Sequence, residues 1–191
     1  EGTIGQTNVT GYVSLGHKDL DLRVEGENTP LGFLNHYISD IFHNIRGRAT
    51  GSCRIFGGFK SIDFEGTQRA SASALLPING VTYHLNDADI QITPGSFRLL
   101  NASLTDSIHG NGRVQGVLNH RHLRDMRYDF AMTGQNILLY DRPQEEDLPF
   151  YATAYGTGDV LLKGYPGRLD VNLKMRTEPG SVLTYVLDRP D

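Results

Sequence analysis

"DMRYDFAMTG", residues 125–134, decides how this chain is read. Successive side chains in a strand point to opposite faces, so Met126, Tyr128, Phe130 and Met132 share one side while Arg127, Asp129, Ala131 and Thr133 share the other. One side is greasy, and something must cover it: a second sheet, as in a sandwich, or a ligand that is not protein.

The alternation recurs outward from this stretch. Leu20, Leu22 and Val24 alternate with Asp19, Asp21 and Arg23, and the period returns at Val81, Tyr83 and Leu85, at Ile90 and Ile92, at Leu169, Val171, Leu173 and Met175, and from Val182 to Leu187. Such segments are strands with one apolar and one polar face. Turn signals stand between them: Gly57-Gly58, Asn79-Gly80, Pro94-Gly95, Asn111-Gly112, Pro166-Gly167 and Pro179-Gly180. Short strands at this spacing imply an antiparallel meander. Glycines inside strand-like segments, such as Gly11, Gly51, Gly66, Gly116, Gly158 and Gly164, imply bulges or strong curvature.

One segment departs from the pattern. In residues 29–47 the apolar positions Leu31, Leu34, Ile38, Ile41 and Ile45 recur every three or four residues, with Phe42 beside them. Thr29 suits an N-cap, Pro30 the first turn and Gly47 the end, so the spacing predicts one amphipathic helix near residues 30–46. The reading is a single domain over 1–191: entering strands over 1–28, the helix over 29–47 and a β meander over 48–191. Three stretches, beginning at Thr50, Asn111 and Thr157, also look like loose copies of one hairpin, with Asp63, Asp129 and Asp170 in similar places.

Bulk properties exclude several functions. The chain has 191 residues, 38% hydrophobic and 21% charged, without a run of about 20 apolar residues that would cross a membrane. It begins at Glu1 and enters strand-like sequence almost at once, so it reads as a segment of a longer protein whose targeting segment lies elsewhere. A single cysteine, Cys53, excludes an internal disulfide and reads as a small core side chain. A net charge of −4 and a pI near 6.0 argue against nucleic acid as a partner. The basic cluster from His120 to Arg127 reads as a solvated turn.

Nothing in the motifs asks for an enzyme or a cofactor. His120 and His122 form an H-x-H pair that a strand would place on one face, a weak zinc candidate that needs a third ligand such as His109 or His84. The glycines at 110, 112 and 116 miss the phosphate-binding spacing and lead into a strand. Glu145, Glu146 and Asp147 lie in a proline-flanked polar loop, where adjacent carboxylates mean solvation.

Three runs, in this order, carry a family resemblance: "FHNIRGRATGSCRIFGGFKSIDFEG" (42–66), "VTYHLNDADIQITPGSFRLLNASLTDSIHGNG" (81–112) and "PFYATAYGTGDVLLKG" (149–164). Together they resemble the C-terminal domain of the TamB family, the inner-membrane component of the translocation and assembly module, in the AsmA-like superfamily. The resemblance covers roughly residues 30–190. It implies an elongated, curved, mainly antiparallel sheet folded into an open U or taco shape with an apolar interior. It also implies a periplasmic location within a protein anchored in the inner membrane, phospholipid transport towards the outer membrane, and an outer-membrane TamA-like partner.

Alternation places Tyr83, Leu85, Phe97, Leu99, Met126, Tyr128, Phe130, Met132, Leu169, Val171, Leu173 and Met175 on the inner face, where phospholipid or fatty-acid chains are the matching ligand. The three methionines suit a surface that accepts variable chains. Two other readings stay open: a protein-assembly module that pairs exposed strand edges with outer-membrane protein substrates, and a plain β-sandwich whose twelve residues are ordinary core.

Overall fold

The computed structural model describes residues 5–36, 38–39, 42–108, 110–145 and 148–186. Eleven strands follow one another: β1 (Gln6–Ser14), β2 (Asp19–Pro30), β3 (His43–Gly58), β4 (Ser61–Leu76), β5 (Val81–Thr93), β6 (Ser96–Asp106), β7 (Asn111–Arg121), β8 (Arg124–Arg142), β9 (Phe150–Tyr165), β10 (Arg168–Thr177) and β11 (Val182–Tyr185). Each of β1 to β9 pairs antiparallel with the next, and β11 returns beside the first residues of β9. The result is a single open sheet, the all-β meander that the alternation implies.

Short connections enforce that order in all but two cases, 31–42 and 143–149, because a two- to four-residue turn can only bring the next strand back alongside. Pro94-Gly95 and Pro166-Gly167 make two of these turns, with Gly95 at φ 83° and Gly167 at φ 88°, the left-handed geometry that a side chain resists. Two expected turns fall elsewhere. Gly57-Gly58 ends β3 ahead of a Phe59-Lys60 turn, and Asn111-Gly112 opens β7.

The predicted amphipathic helix does not form. Gly32–His36 makes one 3-10 turn, and from His43 the chain is strand β3. Fragments of helical bonding survive, Ile38 N–H donating to Leu34 O at 3.1 Å and Phe42 N–H to Ile38 O at 3.0 Å. The remainder loses to pairing: from His43 to Gly58 the chain gains a ladder with β4, and from Arg48 onward a second one with β2. Ile45 is buried in β3, and Asn35 Oδ1 accepts its backbone N–H at 2.7 Å. β-branched isoleucines favour that outcome. Ile41 lies outside the described residues.

The sheet is open and uncurled as a whole, since β1 and β10 end it without meeting. The U-shape therefore does not run along its length; curvature is local, over β4 to β8. Bulges lie in this region, where the register shifts and Asp87, Asn101 and Asn136 take positive φ; two more, at Asn28 and Asn44, lie outside it in β2 and β3. Their short polar side chains tolerate that conformation better than others do. At one end the bend brings the β4–β5 turn against β8: Asp141 N–H donates to Asn79 O at 2.8 Å and Asn79 Nδ2 to Leu139 O at 3.0 Å. The largest fully buried side chains, Val81, Ile137 and Leu138, lie in this corner. Among the described residues no helix is long and apolar enough to cross a membrane.

Candidate functional site: one apolar face

Residues paired across neighbouring strands share a face, so the register can be followed from edge to edge. One row runs Val9, Val24, Cys53, Gly66, Ile92, Phe97, Leu118, Tyr128, Gly164, Leu169, one residue from each of β1 to β10. It contains no charge, and its one polar group is the Tyr128 hydroxyl. The row one residue away faces the other side and runs Asn8, Glu25, Ser52, Thr67, Gln91, Arg98, Val117, Asp129, Lys163, Asp170. The two rows are thus chemically distinct from edge to edge.

All twelve residues placed inside by alternation lie on the apolar face. Phe97, Tyr128 and Leu169 stand in the first row, and Leu99, Phe130 and Val171 in the next with Ile90, Gly116 and Leu162. Met132 and Leu173 flank Val160, Leu85 pairs with Leu104, and Met175 with Gly158. Tyr83 pairs with Asp106, and Met126 joins by alternation two residues before Tyr128 in β8. They are not equally free. Tyr128 is buried, whereas Val171 is 45% and Leu173 58% exposed.

Alternation had also marked Leu22, Val24, Ile90 and Ile92 as strand residues, but only the register puts them, with Val9, Ile55, Phe64, Leu118, Val160 and Leu162, on the same face. The Cys53 thiol is half-buried there, and its removal from water pushes its pKa up.

Among the described residues no second sheet or helix packs over this face. Domains normally bury such a surface by packing two layers together, and a compact 21.2 kDa chain exposes about 9,000 Å². This one exposes 12375 Å². Across ten strands the apolar row spans nine inter-strand spacings, about 43 Å along the sheet. A single acyl chain, half of a bilayer's hydrocarbon core of about 30 Å, is about 15 Å long.

The polar face is held by exposed ion pairs. Arg54 grips Asp21 at 2.7 Å and Glu65 at 2.9 Å and lies 4.5 Å over the Phe56 ring, and Lys163 meets Asp129 at 3.1 Å. The Arg54 guanidinium holds the Asp21 carboxyl below its ordinary range.

Two polar nodes sit at the bend. In the first, Asp106 Oδ1 accepts from the N–H groups of Ile108 at 2.8 Å and Gly110 at 2.9 Å, and Oδ2 from Leu138 N–H at 2.6 Å. Beside it Tyr83 donates its hydroxyl to Leu138 O at 2.9 Å and accepts from Asn79 Nδ2. Burial pushes the Tyr83 hydroxyl up to about 12, against the pull of the Asn79 bond, so it stays a donor. This geometry ties strands together and presents no reactive group.

The second node holds the histidines. His120 is buried against Phe97, ring centroids 4.8 Å apart, and edge-on to Phe64; its Nδ1 accepts from Leu123 N–H at 3.2 Å and its Nε2 is buried without a hydrogen-bond partner. His122 is not on the strand with it. It sits in the β7–β8 turn, where Nδ1 lies 3.2 Å from Asp63 Oδ1 and from Ile62 O. His84 pairs with Ser73 and Thr105 on the polar face, and His109 lies outside the described residues, as do Glu146 and Asp147. Among the described residues no three metal-ligating side chains converge.

No family model, no curated protein and no solved structure matches this chain.

Proposed function

We propose that the apolar face binds lipid acyl chains, and that the chain is a segment of a periplasm-spanning protein, anchored in the inner membrane elsewhere, that supports phospholipid transport to, and protein assembly in, the outer membrane. The observation that carries this reading is the uncharged row crossing ten strands with no second layer over it among the described residues. Burying apolar surface is favourable by about 0.8 kcal/mol per methylene, and an uncharged row whose one polar group is the Tyr128 hydroxyl selects for apolar bulk rather than for one headgroup. The resemblance to TamB-type sequences supplies the setting and the TamA-like partner.

The reading is tested by titrating a fluorescent fatty acid into the protein and into the double variant Val171→Lys, Leu173→Lys. Both side chains are exposed, so the variant keeps its far-ultraviolet spectrum. At least a tenfold loss of affinity is expected; unchanged uptake defeats the reading.

A second reading, an assembly module pairing an edge strand with an outer-membrane protein strand, requires an edge free of proline and charge. β1 has that composition and β10 does not. Binding of a labelled β-signal peptide to the chain tests it.

A further inference from the structure

Alternate turns of an antiparallel meander lie at the same rim, so the β1–β2, β3–β4, β5–β6, β7–β8 and β9–β10 turns stand together. Four of these turns carry an exposed bulky apolar residue with a cation close by in sequence: Leu15 with Lys18, Phe59 with Lys60, Leu123 between Arg121 and Arg124, and Tyr165 before Arg168. The acids beside them are Asp19, Asp125 and Asp170, the last paired with Arg168 at 3.1 Å. The opposite rim also exposes Phe33, Ile78 and Ile108, but its connections, 31–42, 77–80, 107–110, 143–149 and 178–181, contain no Lys or Arg. A chain of net charge −4 thus sets cations at the turns of one rim only.

The curl of the sheet links these turns into one patch. Phe59 N–H donates to Lys18 O at 2.8 Å, which joins the first two turns, and His120 N–H donates to Gly95 O at 2.9 Å. The His122 ring in the β7–β8 turn lies 3.2 Å from Asp63 Oδ1 and from Ile62 O, at the start of β4. The turns bearing Leu15, Phe59 and Leu123 are therefore held by direct contacts. All of them are internal to the sheet, and strands added beyond β1 or β10 would lengthen the rim without covering its tips.

We propose that this rim docks onto the surface of an anionic phospholipid bilayer, with Leu15, Phe59 and Leu123 entering the interface and the neighbouring Lys18, Lys60, Arg121 and Arg124 meeting the lipid phosphates. Both halves of the pattern select that partner. An apolar tip gains by leaving water, and a tyrosine such as Tyr165 suits the boundary between headgroup and chain. A Lys or Arg lays its methylenes along the apolar layer while its charge reaches an anionic surface. A nucleic acid would use the cations and leave the tips in water. The contact is made by the rim and not by the apolar face, so it goes beyond the lipid-binding reading and does not depend on it.

Flotation of the 191-residue chain with phosphatidylglycerol vesicles and with phosphatidylcholine vesicles tests the proposal. Binding to the first is expected to be tighter by about tenfold or more, and to be lost in ~1 M salt, where charges are screened within about 3 Å. Lys60→Glu, Arg124→Glu, both exposed positions, is expected to weaken it by about tenfold or more, and Leu15→Ser, Phe59→Ser to weaken it as well, with far-ultraviolet spectra unchanged. Ile78→Ser on the opposite rim and Val171→Ser, Leu173→Ser on the apolar face leave it intact. Absence of flotation, equal binding to the two kinds of vesicle, or binding that survives Lys60→Glu, Arg124→Glu overturns the proposal. Loss of binding in Val171→Ser, Leu173→Ser also overturns it, because the contact then belongs to the apolar face. Should a rim variant misfold, the salt dependence of the wild-type chain decides. Fatty-acid uptake by the Lys60→Glu, Arg124→Glu variant stays that of the wild type, so the docking and the lipid-binding readings fail separately.

Discussion

Asn136 N–H donates to Thr157 Oγ1 at 2.9 Å, across the bulge that joins β8 to β9. The same device holds Asn28 to Thr50 at 3.0 Å and Asp87 to Ser71 at 3.0 Å. In each case a left-handed Asn or Asp bulges out of one strand, and a hydroxyl on the neighbouring strand takes the backbone N–H the ladder has released. Thr50-Gly51 and Thr157-Gly158 open two of the three hairpin copies visible in the sequence, so part of that repeat is a repeated bulge clamp. Asp63, Asp129 and Asp170 likewise share the polar face.

Asn136→Gly is expected to leave stability unchanged and Asn136→Val to cost about 1–2 kcal/mol, because a β-branched side chain resists φ 48°. Urea unfolding of the two variants checks this. Equal stability of the two would show that the bulge relaxes freely.

Asp106 is the strongest polar tie in the bend. Asp106→Ala leaves three backbone N–H groups without their acceptor, two of them buried, and is expected to destabilise by about 3 kcal/mol or more. Asp106→Asn, which keeps one acceptor oxygen, is expected to cost less. Thermal unfolding with near-ultraviolet detection follows both.

The β7–β8 turn is strained at both central positions, His122 at φ 49° and Leu123 at φ 60°. Two positive φ values define the hairpin turn that glycine and asparagine favour. Leu123→Gly is therefore expected to stabilise the protein by about 1 kcal/mol, read as a rise in the urea midpoint. A fall in the midpoint would mean that the half-exposed leucine packs against something worth more than its strain.

Burial lowers the pKa of His120, with His122 adding in the same direction and Asp63 opposing. The groups facing the ring are Phe64 and Asp63 from β4, Phe97 from β6 and His122 from the turn. A histidine whose folded pKa lies below its unfolded value contributes stability that is complete above the unfolded value, about 6.5, and is lost as the pH falls through that value towards the folded one. Urea unfolding at pH 8 and pH 5 should show a loss at pH 5 that shrinks in His120→Phe. A loss of the same size in His120→Phe would show that His120 does not carry the pH dependence.

The strands and their faces were legible because alternation is written into each segment: Phe97, Leu99, Tyr128 and Phe130 needed only a period of two. The helix over 30–46 was misread because a three-to-four spacing in a short, isoleucine-rich segment does not reveal the strands waiting on either side, and ladders to β2 and β4 outweigh local periodicity. Curvature was expected from glycines inside strands, such as Gly51 and Gly66, but the place of the bend was not legible. It depends on which Asn residues turn left-handed and on contacts such as Tyr83 to Leu138, 55 residues apart in sequence. His122 was placed beside His120 by the same period of two, which fails at a turn.

The central claim is that lipid occupies the uncovered apolar face, and the most direct measurement is organic extraction of the detergent-free purified protein followed by mass spectrometry. The account predicts phospholipid or fatty acid in stoichiometric amount, lost in the Val171→Lys, Leu173→Lys variant while circular dichroism stays the same. Protein that is free of lipid, and takes up none from vesicles, would contradict it.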